Sequence, residues 1–215
     1  MDAAAKFGIG GEPYVKRGPY ARLVKPVLDR LAALILIVLL CWLLAMLALI
    51  IKLTSPGPVF FRQKRVGLGK SHFMIFKFRT MRADAPADVP THLLANPQSH
   101  ITPIGRFLRR SSLDELPQLF NILRGEMSFI GPRPALWNQD DLIAERERWG
   151  ANDVLPGVTG WAQANGRDEL PIPEKALLDG FYAGNAGFWL DVKILFLTAV
   201  NVLRAKGIVE GNTGR

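Results

Sequence analysis

The stretch SSLDELPQLFNILRGEMSFIGPRP, residues 111–134, sets two adjacent acids, Asp114 and Glu115, just after Arg109 and Arg110, and ends on the turn Gly131-Pro132-Arg133-Pro134. A carboxylate can attack an activated phosphoryl group and carry it as a covalent intermediate. The electrophile is itself anionic, so such a site needs cations or oriented donors to offset the repulsion. Arg109, Arg110 and Arg133 could supply them, and a carboxylate could also hold Mg²⁺ between the protein and a diphosphate. Neighbouring positions do not share a helix face, which suggests different jobs for the two acids, one attacking while the other positions or deprotonates. The residues alone do not rank those roles.

The same acids have a purely structural reading. Ser112-x-x-Glu115 has the spacing of a capping box, and Asp114 could instead cap a helix that carries Pro117 in its first turn. A helix is expected over LPQLFNILRG, ended by Gly125. Upstream, SHFMIFKFRTM at 71–81 reads as a strand in which Lys77 and Arg79 share one face, meeting either phosphate or water. His72, His92 and His100 lack metal-ligand spacing and read as surface or structural residues. No P-loop, HExxH or cysteine metal cluster is present, and the early Gly8-x-Gly10-Gly11 precedes any strand.

Residues 31–51 form an unbroken apolar run, which as a helix would be roughly 30 Å long and match a bilayer core. Lys16, Arg17, Arg22, Lys25 and Arg30 precede it; Lys52, Arg62, Lys64, Arg65 and Lys70 follow. The positive-inside rule places both flanks on one side, so the run is expected to enter the membrane, bend and return. It is too long and starts too late for a cleaved signal peptide. Cys41, the only cysteine, lies within it, so no intrachain disulfide is possible. The formal net charge of +8 suits nucleic acid, anionic lipid or phosphorylated substrates, and the membrane run favours the last two.

These signals give a membrane-associated α/β chain that is predominantly helical. A flexible tail (1–24) precedes a re-entrant membrane helix (25–52), a compact catalytic domain (53–207) and a C-terminal tail (208–215). Val59–Phe61 reads as a short strand that pairs with 71–81, and 83–103 as a loop. Residues 138–149 suggest a solvated charged helix, and the glycine-punctuated LPGVTGWAQANGR at 155–167 an irregular segment. Residues 172–207 read as two helices broken near Gly184–Gly187, the second apolar but interrupted by Asp191 and Lys193 and suited to the membrane interface.

Taken in order, KPVLDRL, SPGPVFFRQKRVG, FKFRTM, LRRSSLDELPQLFNILRGEMSFIGPRP, LPGVTGWAQANGR and FWLDVKI resemble the bacterial monotopic phosphoglycosyl transferases, from about Lys25 to Lys206. The resemblance implies a UDP-sugar donor and a polyprenyl (undecaprenyl) phosphate acceptor. It implies that Asp114 is the nucleophile, expelling UMP to leave a sugar phosphate on the enzyme, and that Glu115 activates the acceptor or organises Mg²⁺. Arg109, Arg133, Lys77, Arg79 and Arg167 would face phosphates, and Pro132 and Pro134 would fix the backbone that carries Arg133. Gly157, Gly160, Gln163 and Asn165 fall in another family block. The implied setting is the cytoplasmic face of a bacterial inner membrane rich in anionic phospholipid, at the first step of glycan assembly, with downstream glycosyltransferases as neighbours.

One departure stands out. Similar chains break the membrane helix with a Ser-Pro pair, and here that place holds Cys41-Trp42, which puts the bend in question. Rival readings are a non-catalytic membrane adaptor and a transferase without a covalent intermediate. A nucleic-acid binder shares only the basic charge, and no recognisable nucleic-acid module is present.

Overall fold

The computed structural model describes residues 18–86, 97–166 and 170–203. A π-helical turn at Tyr20–Val24 leads into helix α1, Lys25–Thr54, with Pro26 in the first turn, where its missing N–H costs little. The helix runs unbroken through Cys41 and Trp42, because without proline there nothing removes an internal hydrogen bond. The expected mid-helix break is therefore absent from the secondary structure.

The packing of α1 is more informative than its hydrophobicity. Ala33 packs with Phe73, Ile75, Leu119, Ile122 and Met127, flanked by the partly buried Leu36 and Ile37. Further along, Leu47 and Ile51 pack with Phe78 and Leu108, flanked by Leu43, Leu44 and Ala48. These positions recur every three or four residues, so one stripe of the helix faces the domain along most of its length. Leu31, Leu34, Ile35, Val38, Leu39, Trp42, Met46, Leu49 and Leu53 stay exposed on its other faces. The helix lies lengthwise on the domain and does not project from it.

Strands β1 (Phe60–Val66) and β2 (His72–Phe78) pair antiparallel as a hairpin, with Arg62 opposite Phe76 and Lys64 opposite Met74. The pairing matches the sequence reading, and the first strand is longer than its apolar start suggested. Helix α2 (Pro103–Ser111) is capped by the Thr102 hydroxyl, which accepts from Gly105 N at 3.0 Å. Helix α3 (Gln118–Arg124) ends at Gly125, whose φ of 76° is the left-handed cap. Asn121 of α3 is buried against β2 and completes its edge, accepting from Phe76 N at 3.0 Å and donating to the Met74 carbonyl at 2.8 Å. That amide fixes the register of α3 on the hairpin.

Strand β3 (Ser128–Ile130) follows, then helix α4 (Asp140–Arg148), and β4 (Gly157–Thr159) pairs parallel with β3. Helices α5 (Trp161–Asn165), α6 (Ile172–Asn185) and α7 (Phe188–Leu203) complete the described chain. The segment expected to be irregular thus contains a strand and a helix. Its glycines serve close approach: a β-carbon on Gly157 would strike the backbone nitrogen of Gly131, and one on Gly160 the Gly131 carbonyl.

A buried polar network ties the start of α1 to α7. Lys25 lies 3.4 Å from Asp29 and 3.0 Å from Asp191, while Tyr20 and Tyr182 donate to Asp191 at 2.9 and 2.8 Å. Ser128 of β3 donates to Asp29 at 2.6 Å. Asp191, expected to interrupt an interfacial helix, is instead only 4% exposed and receives three donors. Lys193 sits over the Trp161 ring, and Phe188, Trp189, Leu195 and Phe196 leave an apolar surface on α7.

Candidate active site

The acidic pair lies where α2 gives way to α3. Ser112 adopts a left-handed φ of 56°, which stops α2, and Leu113–Glu115 makes one 3-10 turn before Pro117 starts α3. The Ser112 side chain makes no capping bond, so the capping box suggested by the spacing is not formed. A left-handed serine is uncommon and costs on the order of 1–3 kcal/mol, tolerated where surrounding structure enforces it. The turn gives the two carboxylates different environments.

Glu115 is tied to cations from two distant segments. Lys77 Nζ of β2 donates to its Oε1 at 2.6 Å, and Arg133 Nη2 of the GPRP turn donates to the same oxygen at 3.2 Å. Burial would raise the Glu115 pKa, but the charges and hydrogen bonds of Lys77 and Arg133 outweigh it and bring it down to about 2. Asp114 is 9% exposed and forms none of the ion pairs within 4 Å among the described residues. Burial raises its pKa, Lys77 opposes that, Glu115 adds to it, and Arg109 and Arg133 oppose it further, leaving about 6. One acid is a fixed anion; the other is the more basic and less committed.

The GPRP turn is gripped by its carbonyls. Pro132 O accepts from Gly157 N, Arg133 O from Arg146 Nη2 and Pro134 O from Arg65 Nη1, each at 2.9 Å. The two prolines fix φ and add no N–H that would need a partner. Arg146 is 4% exposed, and its Nε and Nη2 donate to Asp179 of α6 at 2.9 and 2.6 Å. The expected solvated helix therefore buries an arginine that holds Arg133 from behind. Leu142 and Arg146, four apart and both buried, form the inward stripe of α4, and a charged residue on that stripe is hard to recognise in sequence.

The remaining candidates separate. Arg109 Nε donates to Thr80 Oγ1 at 2.8 Å, and its charge acts on Asp114. Arg110 is exposed. Arg79 lies beyond the end of β2, so the two-residue alternation with Lys77 no longer governs it. Buried, it donates through Nη2 to the Ser55 carbonyl and hydroxyl at 2.7 Å each and packs on Gly57, bracing the end of α1. Asn165 donates to Trp161 O at 2.7 Å, within its own helix, and the buried Gln163 amide has no hydrogen-bond partner among the described residues. Arg167 lies outside the described residues. Among the described residues no three His, Cys, Asp or Glu side chains gather as a metal cage. Two hard carboxylates still suit Mg²⁺, which takes one or two such ligands and completes its shell with water and substrate phosphate.

A sequence model of the family described as "Bacterial sugar transferase" matches residues 20–205. A UDP-glucose:undecaprenyl-phosphate glucose-1-phosphate transferase of Xanthomonas campestris pv. campestris is 42% identical over 199 residues, covering 89% of this chain and 41% of that protein. A protein of the same name from Caulobacter vibrioides is 42% identical, covering 86% of this chain and 73% of its own length. An uncharacterized sugar transferase, EpsL of Bacillus subtilis, is 39% identical and covers 88% of this chain and 92% of that protein. The chain thus spans less than half of the Xanthomonas protein and nearly all of the Bacillus one.

Removing one partner of the buried pair behind Arg133 strands the other. Arg146→Met should cost about 3–5 kcal/mol, while Arg146→Met combined with Asp179→Leu should cost much less, because no uncompensated charge remains. Unfolding of the three proteins in one detergent measures this. Equal losses in the single and double variants would contradict it.

Proposed function

The chain belongs to the bacterial sugar transferase family, and from that membership we propose that it moves a sugar 1-phosphate from a UDP-sugar to polyprenyl phosphate through Asp114. The observation that carries this reading is the split acidic pair, with Glu115 bound to two cations and Asp114 buried beside them without an ion pair of its own among the described residues. A nucleophile must be ionised yet not consumed by a local partner, and Asp114 meets both conditions at neutral pH.

In the first step an Asp114 oxygen attacks the phosphorus nearer the sugar. The bond from that phosphorus to the bridging oxygen breaks, and UMP departs with the electron pair. The sugar phosphate is then an acyl phosphate on Asp114. In the second step an oxygen of polyprenyl phosphate attacks the same phosphorus, the acyl–phosphate bond breaks and the Asp114 carboxylate is restored. The products are polyprenyl diphosphate-sugar and free enzyme.

Lys77, Arg109 and Arg133 would offset the negative charge of donor and acceptor. Glu115 orients two of them, and its low pKa fits an ionic anchor better than a proton acceptor. The acceptor phosphate is already anionic and needs no base. When bound, Mg²⁺ would neutralise diphosphate charge, with Asp114 and Glu115 as the carboxylates within reach of it. A non-catalytic adaptor is the rival reading, but it has no use for a carboxylate buried beside three cations and ion-paired to none of them among the described residues.

The apolar surfaces of α1 and α7 support a membrane setting, and the reading extends to its topology. The start of α1 is bound through Lys25 and Asp29, and its end through Ser55 and Arg79, all to one domain. Such a helix is embedded from one side without crossing. Its basic flanks favour the cytoplasmic face of the inner membrane. In a Cys41→Ser background, cysteines at Gly18 and Thr54 are expected to react with an impermeant maleimide from the same side of sealed vesicles. Labelling from opposite sides would establish a span.

Native chain supplied with a UDP-sugar, polyprenyl phosphate and Mg²⁺ should release UMP, with the rate falling as pH drops through about 6 and Asp114 takes up a proton. Asp114→Asn should release none. Because burial disfavours the ionised carboxylate, that variant should melt no lower than the native chain at pH 7. UMP release by a folded Asp114→Asn chain would remove Asp114 from the reaction.

A further inference from the structure

The outer face of the β1–β2 hairpin carries a second group of cations, separate from the acidic pair. Arg62 and Arg124 share one aromatic ring, their guanidinium carbons 5.1 and 5.0 Å from the Phe76 centroid. Arg62 reaches it from across the hairpin, and Arg124 from the end of α3. Arg30, on the first turns of α1, lays its guanidinium against Gly125, the residue after Arg124; a β-carbon there would collide with it. Lys64 extends the same face, its Nζ 5.2 Å from the Trp137 ring. Among the described residues no carboxylate forms a salt bridge with Arg30, Arg62 or Arg124. The nearby acid in sequence, Glu126, is turned to Asn121, whose amide donates to it at 2.7 Å.

Unbalanced guanidiniums repel one another, and a shared ring face offsets only part of that cost. Their position gives them a partner. Val27, Leu31 and Leu34 of α1 and Phe120 and Leu123 of α3 are exposed apolar residues beside Arg30 and Arg124 in their helices. The cations therefore stand where an apolar surface meets a polar one, the level of lipid headgroups. Guanidinium forks suit phosphate oxygens, and the exposed aliphatic side chains suit the acyl chains below.

We infer that Arg30, Arg62 and Arg124 form a binding site for the headgroup of an anionic phospholipid, with Phe76 as the platform that holds two of the three guanidiniums. The site fixes the rotation of the enzyme about α1 and the depth of the acidic pair relative to the membrane surface. The inference rests on the membrane-embedded reading of α1 and is independent of the transfer chemistry.

The test is native mass spectrometry of the full chain after equilibration in mixed micelles of neutral detergent with equal amounts of phosphatidylglycerol and phosphatidylcholine. The native chain should retain phosphatidylglycerol in preference. The triple variant Arg30→Gln, Arg62→Gln, Arg124→Gln should lose roughly tenfold or more of that preference. UMP release in neutral detergent should be unchanged, which separates failure of the site from failure of the reaction. Should the triple variant fold poorly, Arg62→Gln and Arg124→Gln separately, both at exposed side chains, should each lose part of the preference. Equal retention of the two lipids by the native chain, or an undiminished preference in the folded variants, would overturn the assignment.

Discussion

The ion pairs that Lys77 and Arg133 make with Glu115 are the interaction on which the site depends, because they join three segments far apart in the chain. A strand end, a 3-10 turn and a proline-braced turn meet on one carboxylate oxygen. In doing so they concentrate positive charge beside Asp114, which forms no ion pair among the described residues. Burial makes the Asp114 anion costly, and the cations keep it affordable at neutral pH. Opposite displacements of two neighbouring pKa values are what a division of labour between adjacent acids requires.

The supports of this meeting point reach well into the domain. Three consecutive carbonyls, of Pro132, Arg133 and Pro134, are taken by Gly157, Arg146 and Arg65, so the Arg133 side chain leaves a backbone with little freedom. Gly131, Gly157 and Gly160 allow the two backbones to come close enough for this. On the other side, Asn121 locks α3 to the β2 edge and so sets where the acidic turn falls. The same domain grips α1 at both ends and along a stripe between them. Membrane attachment and site geometry are therefore parts of one packed structure.

Much of this was legible in the sequence. The apolar run, the paired strands, the helix ending at Gly125 and the break before Phe188 follow from periodicity and punctuation, and residue type and family resemblance single out Asp114, Glu115, Lys77 and Arg133, which the fold brings together. Other features depend on tertiary contacts that no local pattern encodes. Asp191 reads as an interruption of an interfacial helix and Arg146 as part of a solvated one, because their partners, Lys25 and Asp179, lie far away in sequence. Arg79 was placed with Lys77 by an alternation that stops when the strand does. The glycine-rich 155–167 stretch looked irregular because glycine's use in close backbone packing resembles its use in loops. Ser112 and Glu115 had capping-box spacing, but a left-handed serine turned the chain first.

The most direct test of the central claim is the mass of the intact protein after incubation with a panel of UDP-sugars and Mg²⁺ in the absence of lipid acceptor, beside Asp114→Asn. A sugar-phosphate adduct is expected on the native chain alone, discharged when polyprenyl phosphate is added. Transfer to the lipid with no adduct on the native chain, or an adduct that persists in Asp114→Asn, would contradict it.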